Sequence, residues 1–189
     1  MKKVLLYLLL IPFFTSCGYN TMVEKQEAVD AQWAQVENVY QRRADLIPNL
    51  VATVKGYAAH ESETLQAVVE ARSKVTQTTI DASSLNADNI KAYQAAQDGL
   101  SSALSRLLVI QEAYPELKAN ENFKELQSQL EGTENRIAVE RQKFNDTARD
   151  YNTYIRKFPQ NMIAGMFNFE SKPYFEADKG AEKAPKVEF

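Results

Sequence analysis

Apolar side chains recur at steps of three, four and seven along nearly the whole chain, and nowhere alternate for long enough to make a strand. Such spacing puts them on one face of a 3.6-residue helix, and a face of that kind must be buried against others like it. A first stripe reads Met22, Val29, Trp33, Val36, Tyr40. A second reads Ile47, Val51, Val54, Ala58, Leu65, Val68, Val75, and a third Ile90, Tyr93, Leu100, Leu104, Leu107, with Leu108 beside it. The fourth is Phe123, Leu126, Leu130, Ile137, Phe144, Tyr151, Ile155, Phe158. Only six glycines and six prolines interrupt a chain of 189 residues, and the abundant Ala, Gln and charged residues are helix formers. If Leu104 is central to the core, Leu104→Ala should cost about 2–5 kcal/mol.

The interruptions divide these stripes. Residues 80–89, IDASSLNADN, are rich in turn and cap formers. Residues 114–122, YPELKANEN, carry Pro115 to stop one helix and Asn120 or Asn122 to cap the next. Pro159 ends the fourth helix, which at about 38 residues and 1.5 Å each would be ~57 Å long. Pro48 reads two ways. Asp45 is a good N-cap and Pro suits a first helical turn, which favours a break. The unbroken phase from Tyr40 through Ala44 to Ile47 and Val51 fits one helix kinked near Pro48. The expected fold is all-α: an antiparallel up-and-down bundle of four long helices, the first two being one helix if Pro48 only kinks it. The narrow seams also permit coiled-coil packing.

Two ends remain. Residues 159–177 hold Met162, Ile163, Met166, Phe167, Phe169, Tyr174 and Phe175, too apolar for a free tail; they read as an irregular segment folded onto the bundle, or as a docking patch. Residues 178–189 are charged and poor in bulky side chains and read as disordered. At the other end Lys2 and Lys3 precede an apolar run from Val4 to Phe14, then Thr15, Ser16 and Cys17. A basic start, a short apolar core and a small-residue exit make a signal peptide over 1–16. The run is well short of the roughly 20 residues that cross a bilayer. Thr-Ser-Cys-Gly resembles a bacterial lipobox, although Phe14 stands where that pattern prefers Leu. Cys17 is the only cysteine, so it makes no internal disulfide, and acylation there would tether the chain to a membrane. The mature chain would then comprise a lipidated N-terminus and short linker over 17–21, the bundle over 22–158 and the C-terminal segment.

Charge and residue type narrow the function. Removing residues 1–16 takes Lys2 and Lys3 and no acid, so 20 basic residues face 25 acidic ones and the net charge is −5. An acidic chain of this kind has no electrostatic reason to bind nucleic acid. The single histidine, His60, begins HESET, which starts like a metalloprotease motif but has Thr64 where the second imidazole must stand. It reads as a helix-surface histidine, and no metal or cofactor is expected. No G-x-S-x-G elbow or phosphate-cradling glycine loop occurs, so the chain reads as no enzyme.

The most distinctive internal stretch, RRADLIPNLVATVKGYAAHE at 42–61, sets Arg42, Arg43, Asp45, Asn49, Lys55, His60 and Glu61 around an apolar seam. It fits a helix junction held by caps and ion pairs, or a polar binding surface. With VVEARSKV at 68–75 and RQKFNDTARDYNTYIRKFPQNMIAGMFNFESKPYFEA at 141–177, it resembles the LemA family over residues 19–177. Asp45-Leu46-Ile47-Pro48-Asn49-Leu50 and the run Phe144-Asn145, Tyr151-Asn152, Ile155, Phe158-Pro159, Asn161 and Ala164 carry that resemblance. Asn168 departs from it, where the family more often has Gly-Phe. The resemblance implies a helical bundle outside the cytoplasm, held to the membrane by its N-terminus, with no catalytic residues. This chain looks like a lipoprotein version of it. The expected partners are the membrane, through lipid on Cys17, and another envelope protein. Trp33, Tyr40, Arg43, Asp45, Asn49, His60, Arg72 and the 158–169 segment with Phe158, Asn161 and Phe167 are the candidate contacts. The alternative is a small-molecule or lipid binder using the bundle's interior or one end, which a pocket of about 300 Å³ or more would favour.

Overall fold

The computed structural model describes the backbone of residues 2–176 and the side chains of 18–176. The expected signal peptide over 1–16, acylation at Cys17 and disordered tail over 178–189 fall on residues outside those described side chains. Among the described residues there is no strand. The chain forms α1 (Lys2–Tyr57), α2 (Ser62–Gln77), α3 (Ala87–Val109), the short α4 (Pro115–Ala119), α5 (Glu121–Arg156) and α6 (Gln160–Phe167). Four of these are the long helices of an up-and-down bundle. Asn86 caps α3 by accepting from the Asn89 N–H, and Asn120 caps α5 by accepting from the Phe123 N–H. Pro115 opens α4 at its first turn rather than stopping α3, which has already tightened into a 3-10 turn at Ile110–Ala113.

The first helix boundary is not at Pro48. α1 runs straight through it, and the chain turns at residues 58–61 instead. Proline has no N–H, so a helix that continues past Pro48 leaves the Ala44 carbonyl without its usual partner. Arg72 on α2 supplies one: its Nε donates to the Ala44 oxygen at 3.0 Å. Asp45 therefore caps nothing; it is exposed and accepts from Gln41 Nε2 at 2.7 Å within the same helix. The real turn hid in the periodicity. Val54, Ala58 and Leu65 keep helical steps of four and seven across it, because both of its flanks bury toward one core.

α1 and α5 form the long antiparallel pair, with α2 packed on α1 and α3 packed on α2. The core has two parts. One gathers Met22, Val29, Trp33, Val36 and Tyr40 of α1 with Ile90, Tyr93, Ile137, Phe144 and Tyr151. The other gathers Ile47, Leu50 and Val54 with Leu65, Val68, Leu100, Leu104, Leu107, Phe123 and Leu130. Nearly every stripe residue is inside, Leu104 among them at 5% exposed. Val51, Leu108 and Leu126 are partly buried, and Phe158 is 79% exposed, since α5 has ended two residues before it.

After α6 the chain turns at Asn168, whose φ of 57° and ψ of 41° lie in the left-handed region. Glycine and asparagine are the residues that tolerate it, so asparagine serves at this helix end. Residues 169–176 then run back along α5, held by two asparagine clamps. Asn152 Nδ2 donates to the Lys172 carbonyl (2.8 Å) while its Oδ1 accepts from the Lys172 N–H (2.8 Å). Asn145 does the same with Phe175, at 3.0 and 2.8 Å. The spacing is geometric. Two helical turns from Asn145 to Asn152 rise ~10.5 Å, and three extended residues from Lys172 to Phe175 span ~10 Å. At the clamps the segment also commits its own side chains to the bundle. Phe175 is buried against Trp33 and Phe144, with ring centroids 6.0 and 5.5 Å apart, and Lys172 reaches Asp30 at 3.1 Å.

Candidate functional site: a polar layer and the cleft above it

Between the two apolar clusters lies one polar level, and each of three helices contributes to it at a core-facing position. On α1, Arg43 falls between Tyr40 and Ile47; on α3, Gln97 between Tyr93 and Leu100; on α5, Glu134 between Leu130 and Ile137. Arg43 is only 1% exposed. A charge so deep must be paired and hydrogen-bonded. Its guanidinium donates to Ser101 Oγ (2.8 Å), to the Gln97 main-chain carbonyl (3.3 Å) and side-chain oxygen, and to Glu134 Oε1. It also lies 5.2 Å from the centre of the Tyr40 ring, within cation–π range. The Glu134 side chain is 44% exposed, so this ion pair has its cation inside and its anion at the rim. Arg43 Nε is buried with no hydrogen-bond partner among the described residues.

Above this level α3 and α5 stand apart, each packed on other helices. The space between them is an open cleft of about 990 Å³. Arg43 and Tyr40 form its floor, Ser101, Ser105 and Leu108 line the α3 wall, and Leu130, Glu134 and Ile137 line the α5 wall. Burial pushes the Tyr40 phenol up to about 12, outweighing the guanidinium groups of Arg141 and Arg43 that favour its ionised form. It is therefore a neutral hydrogen-bonding group at ordinary pH, not a base. Among the described residues no group of three or more His, Cys, Asp or Glu side chains converges on a metal-sized site, and no helix is long and apolar enough to cross a membrane.

The expected contact residues separate. Tyr40 and Arg43 meet at the cleft. Trp33 is fully buried and spends its indole N–H on the Ile80 carbonyl at 3.2 Å, fastening the loop before α3. Arg72 is committed to Ala44. Asn49 is exposed on a separate shallow dent with Asn122 and Glu125. His60 lies in the α1–α2 turn rather than on a helix surface, and the neighbouring Glu61 accepts from the Tyr114 hydroxyl at 3.2 Å. Phe158, Asn161 and Phe167 are exposed at the opposite end of the bundle. The sequence reading missed Gln97, Ser101 and Glu134. The signal was there: a polar residue interrupts three different stripes at matching three-and-four spacing.

Comparison with known proteins bears on this arrangement. The profile of the LemA family matches residues 32–189. The chain is 30% identical to the magnetosome protein MamQ of Magnetospirillum gryphiswaldense over 195 aligned positions, covering 93% of this chain and 71% of that one. It is 30% identical to magnetosome protein MamQ 2 of Paramagnetospirillum magneticum, covering 88% and 67%. Protein LemA of Metamycoplasma hominis is 22% identical, covering 85% and 69%.

Proposed function

This chain belongs to the LemA family, and on that premise we propose that it is a non-catalytic interaction module of the bacterial cell envelope. Lipid on Cys17 holds it to a membrane, and the cleft between α3 and α5 receives a segment of another envelope protein. The observation that carries this reading is the cleft itself. Two bundle helices that could close on one another are held apart over a buried arginine, and the walls alternate apolar Leu108, Leu130 and Ile137 with polar Ser101, Ser105 and Glu134. That mixture suits an amphipathic segment with apolar anchors and a polar edge.

A small-molecule or lipid site in the same cleft is the second reading, and volume favours it, since about 990 Å³ exceeds the ~300 Å³ such sites need. Against it, the cleft is open along its length, and its one buried cation is already paired. Co-purification from membranes tests the first reading. The wild-type chain is expected to retain a reproducible protein partner. Ser105→Arg, which fills the cleft from an exposed position, loses it without a change in Tm, and Cys17→Ala releases the chain from the membrane fraction. No partner, or a partner indifferent to Ser105→Arg, contradicts the proposal.

A further inference from the structure

Ten large apolar side chains are exposed among the described residues, and five of them sit at one end of the bundle: Tyr19, Phe158, Met162, Met166 and Phe167. The others are scattered along the bundle. Met162 and Met166 are one helical step of four apart on the outward face of α6, 65% and 75% exposed, and Phe158, 79% exposed, lies in the turn just before the helix. The inward face of α6 is satisfied, with Ala164 buried and Ile163 packed against α1 and α5. α6 is thus apolar on both faces, and only one of them is covered.

Its position says what covers the other. Gly18 lies directly under α6, so close that an added Cβ would come within 3.1 Å of Ile163 Cδ1. The Tyr19 ring meets Phe167 and Phe169 edge-on at 5.0 and 5.6 Å. Cys17 is the next residue, and consecutive α-carbons are only about 3.8 Å apart. Whatever holds Cys17 at a bilayer therefore holds α6 against it. Arg156 and Lys157, both exposed, stand just before Phe158, where basic side chains rim an interfacial helix facing anionic lipid.

We propose that the outward face of α6, with Phe158, Met162, Met166 and Phe167, is a membrane-contact surface that inserts into the lipid interface and fixes the bundle's tilt on its tether. The proposal rests on attachment at Cys17, argued above. The full lipidated chain, reconstituted in phosphatidylethanolamine–phosphatidylglycerol vesicles, provides the test. Met166→Trp adds an exposed reporter, and Val109→Trp adds one at the far end of the bundle, on a comparably exposed side chain. The native Trp33, fully buried, gives a constant background. The Met166→Trp emission is expected to shift to the blue and to be quenched by brominated acyl chains, while that of Val109→Trp is not. Flotation of a vesicle-bound chain whose Met166→Trp emission is unquenched overturns the contact surface and leaves the tether standing. Flotation unchanged by Cys17→Ala, with Met166→Trp still quenched, removes the tether and leaves the surface. A chain that does not float removes both.

Discussion

At the scale of single residues the account turns on Arg43. A buried ion pair is weak support for stability, because desolvating both charges offsets most of their attraction, yet stranding one of the charges is costly. Here the costs are unequal, since Glu134 stands half in water and Arg43 does not. Glu134→Ala leaves a buried guanidinium without its counter-charge, but solvent screens the half-exposed carboxylate and Ser101 and Gln97 still accept from Arg43, so the expected cost is about 1–3 kcal/mol. The double variant Arg43→Met/Gln97→Met removes the charge together with the buried amide that it satisfies, keeps most of the volume and frees Glu134 to water, so it should cost less than Glu134→Ala. Denaturant titration of the two variants checks the order; the reverse order would mean that packing around Arg43, not its charge, holds the layer. Arg43 was visible in the sequence as one polar residue in a distinctive stretch. Its partners were not recognised, because Gln97 and Glu134 look like ordinary surface residues until their places in the stripes are compared across helices.

At the scale of elements, α1 shows how tertiary contact overrides local propensity. Pro48 should cost a helix interior about 3 kcal/mol, and by propensity alone the helix breaks there. The bond from Arg72 to the orphaned Ala44 carbonyl removes part of that penalty. Arg72→Ala should then cost about 1–2 kcal/mol, the range for leaving a partly buried acceptor unpaired. In a Pro48→Ala background the backbone regains an N–H at that position and can donate it to the Ala44 oxygen, so the same substitution should cost much less. The double-mutant cycle measures this coupling; equal costs in both backgrounds would show that Arg72 does something else. The run Phe144-Asn145 and Tyr151-Asn152 has a comparable explanation. Phe144 and Tyr151 enter the core, while Asn145 and Asn152 beside them grip the returning chain. The sequence displayed that run, but nothing local revealed that a second segment was its target, because the pairing joins residues 20 and 30 positions apart.

At the scale of the whole molecule, the four stripes were enough to read an all-α bundle, because each face was long and regular. The cleft was not legible, since periodicity says which side of a helix is buried and not how far apart two helices stand. The aromatic interior makes one global prediction. Burial raises Tyr40 and Tyr151 from 10.0 to about 12 and pushes Tyr93 up as well. Folded phenols then stay protonated where unfolded ones ionise, so their contribution is complete below pH 10 and is lost as pH climbs toward 12. Alkaline titration should show the tyrosinate absorbance of these residues rising only with the loss of helical circular dichroism; early titration of every tyrosine would place these three nearer to water.

The central claim is that the space between α3 and α5 is a place where another envelope protein sits. Site-specific photo-crosslinking in intact cells tests it most directly, with the photoreactive side chain at Ser105 inside the cleft or at Val69, 51% exposed on α2. The account predicts a discrete heterologous adduct from position 105 and none from position 69. No adduct from the cleft, or the same adducts from both positions, would contradict it.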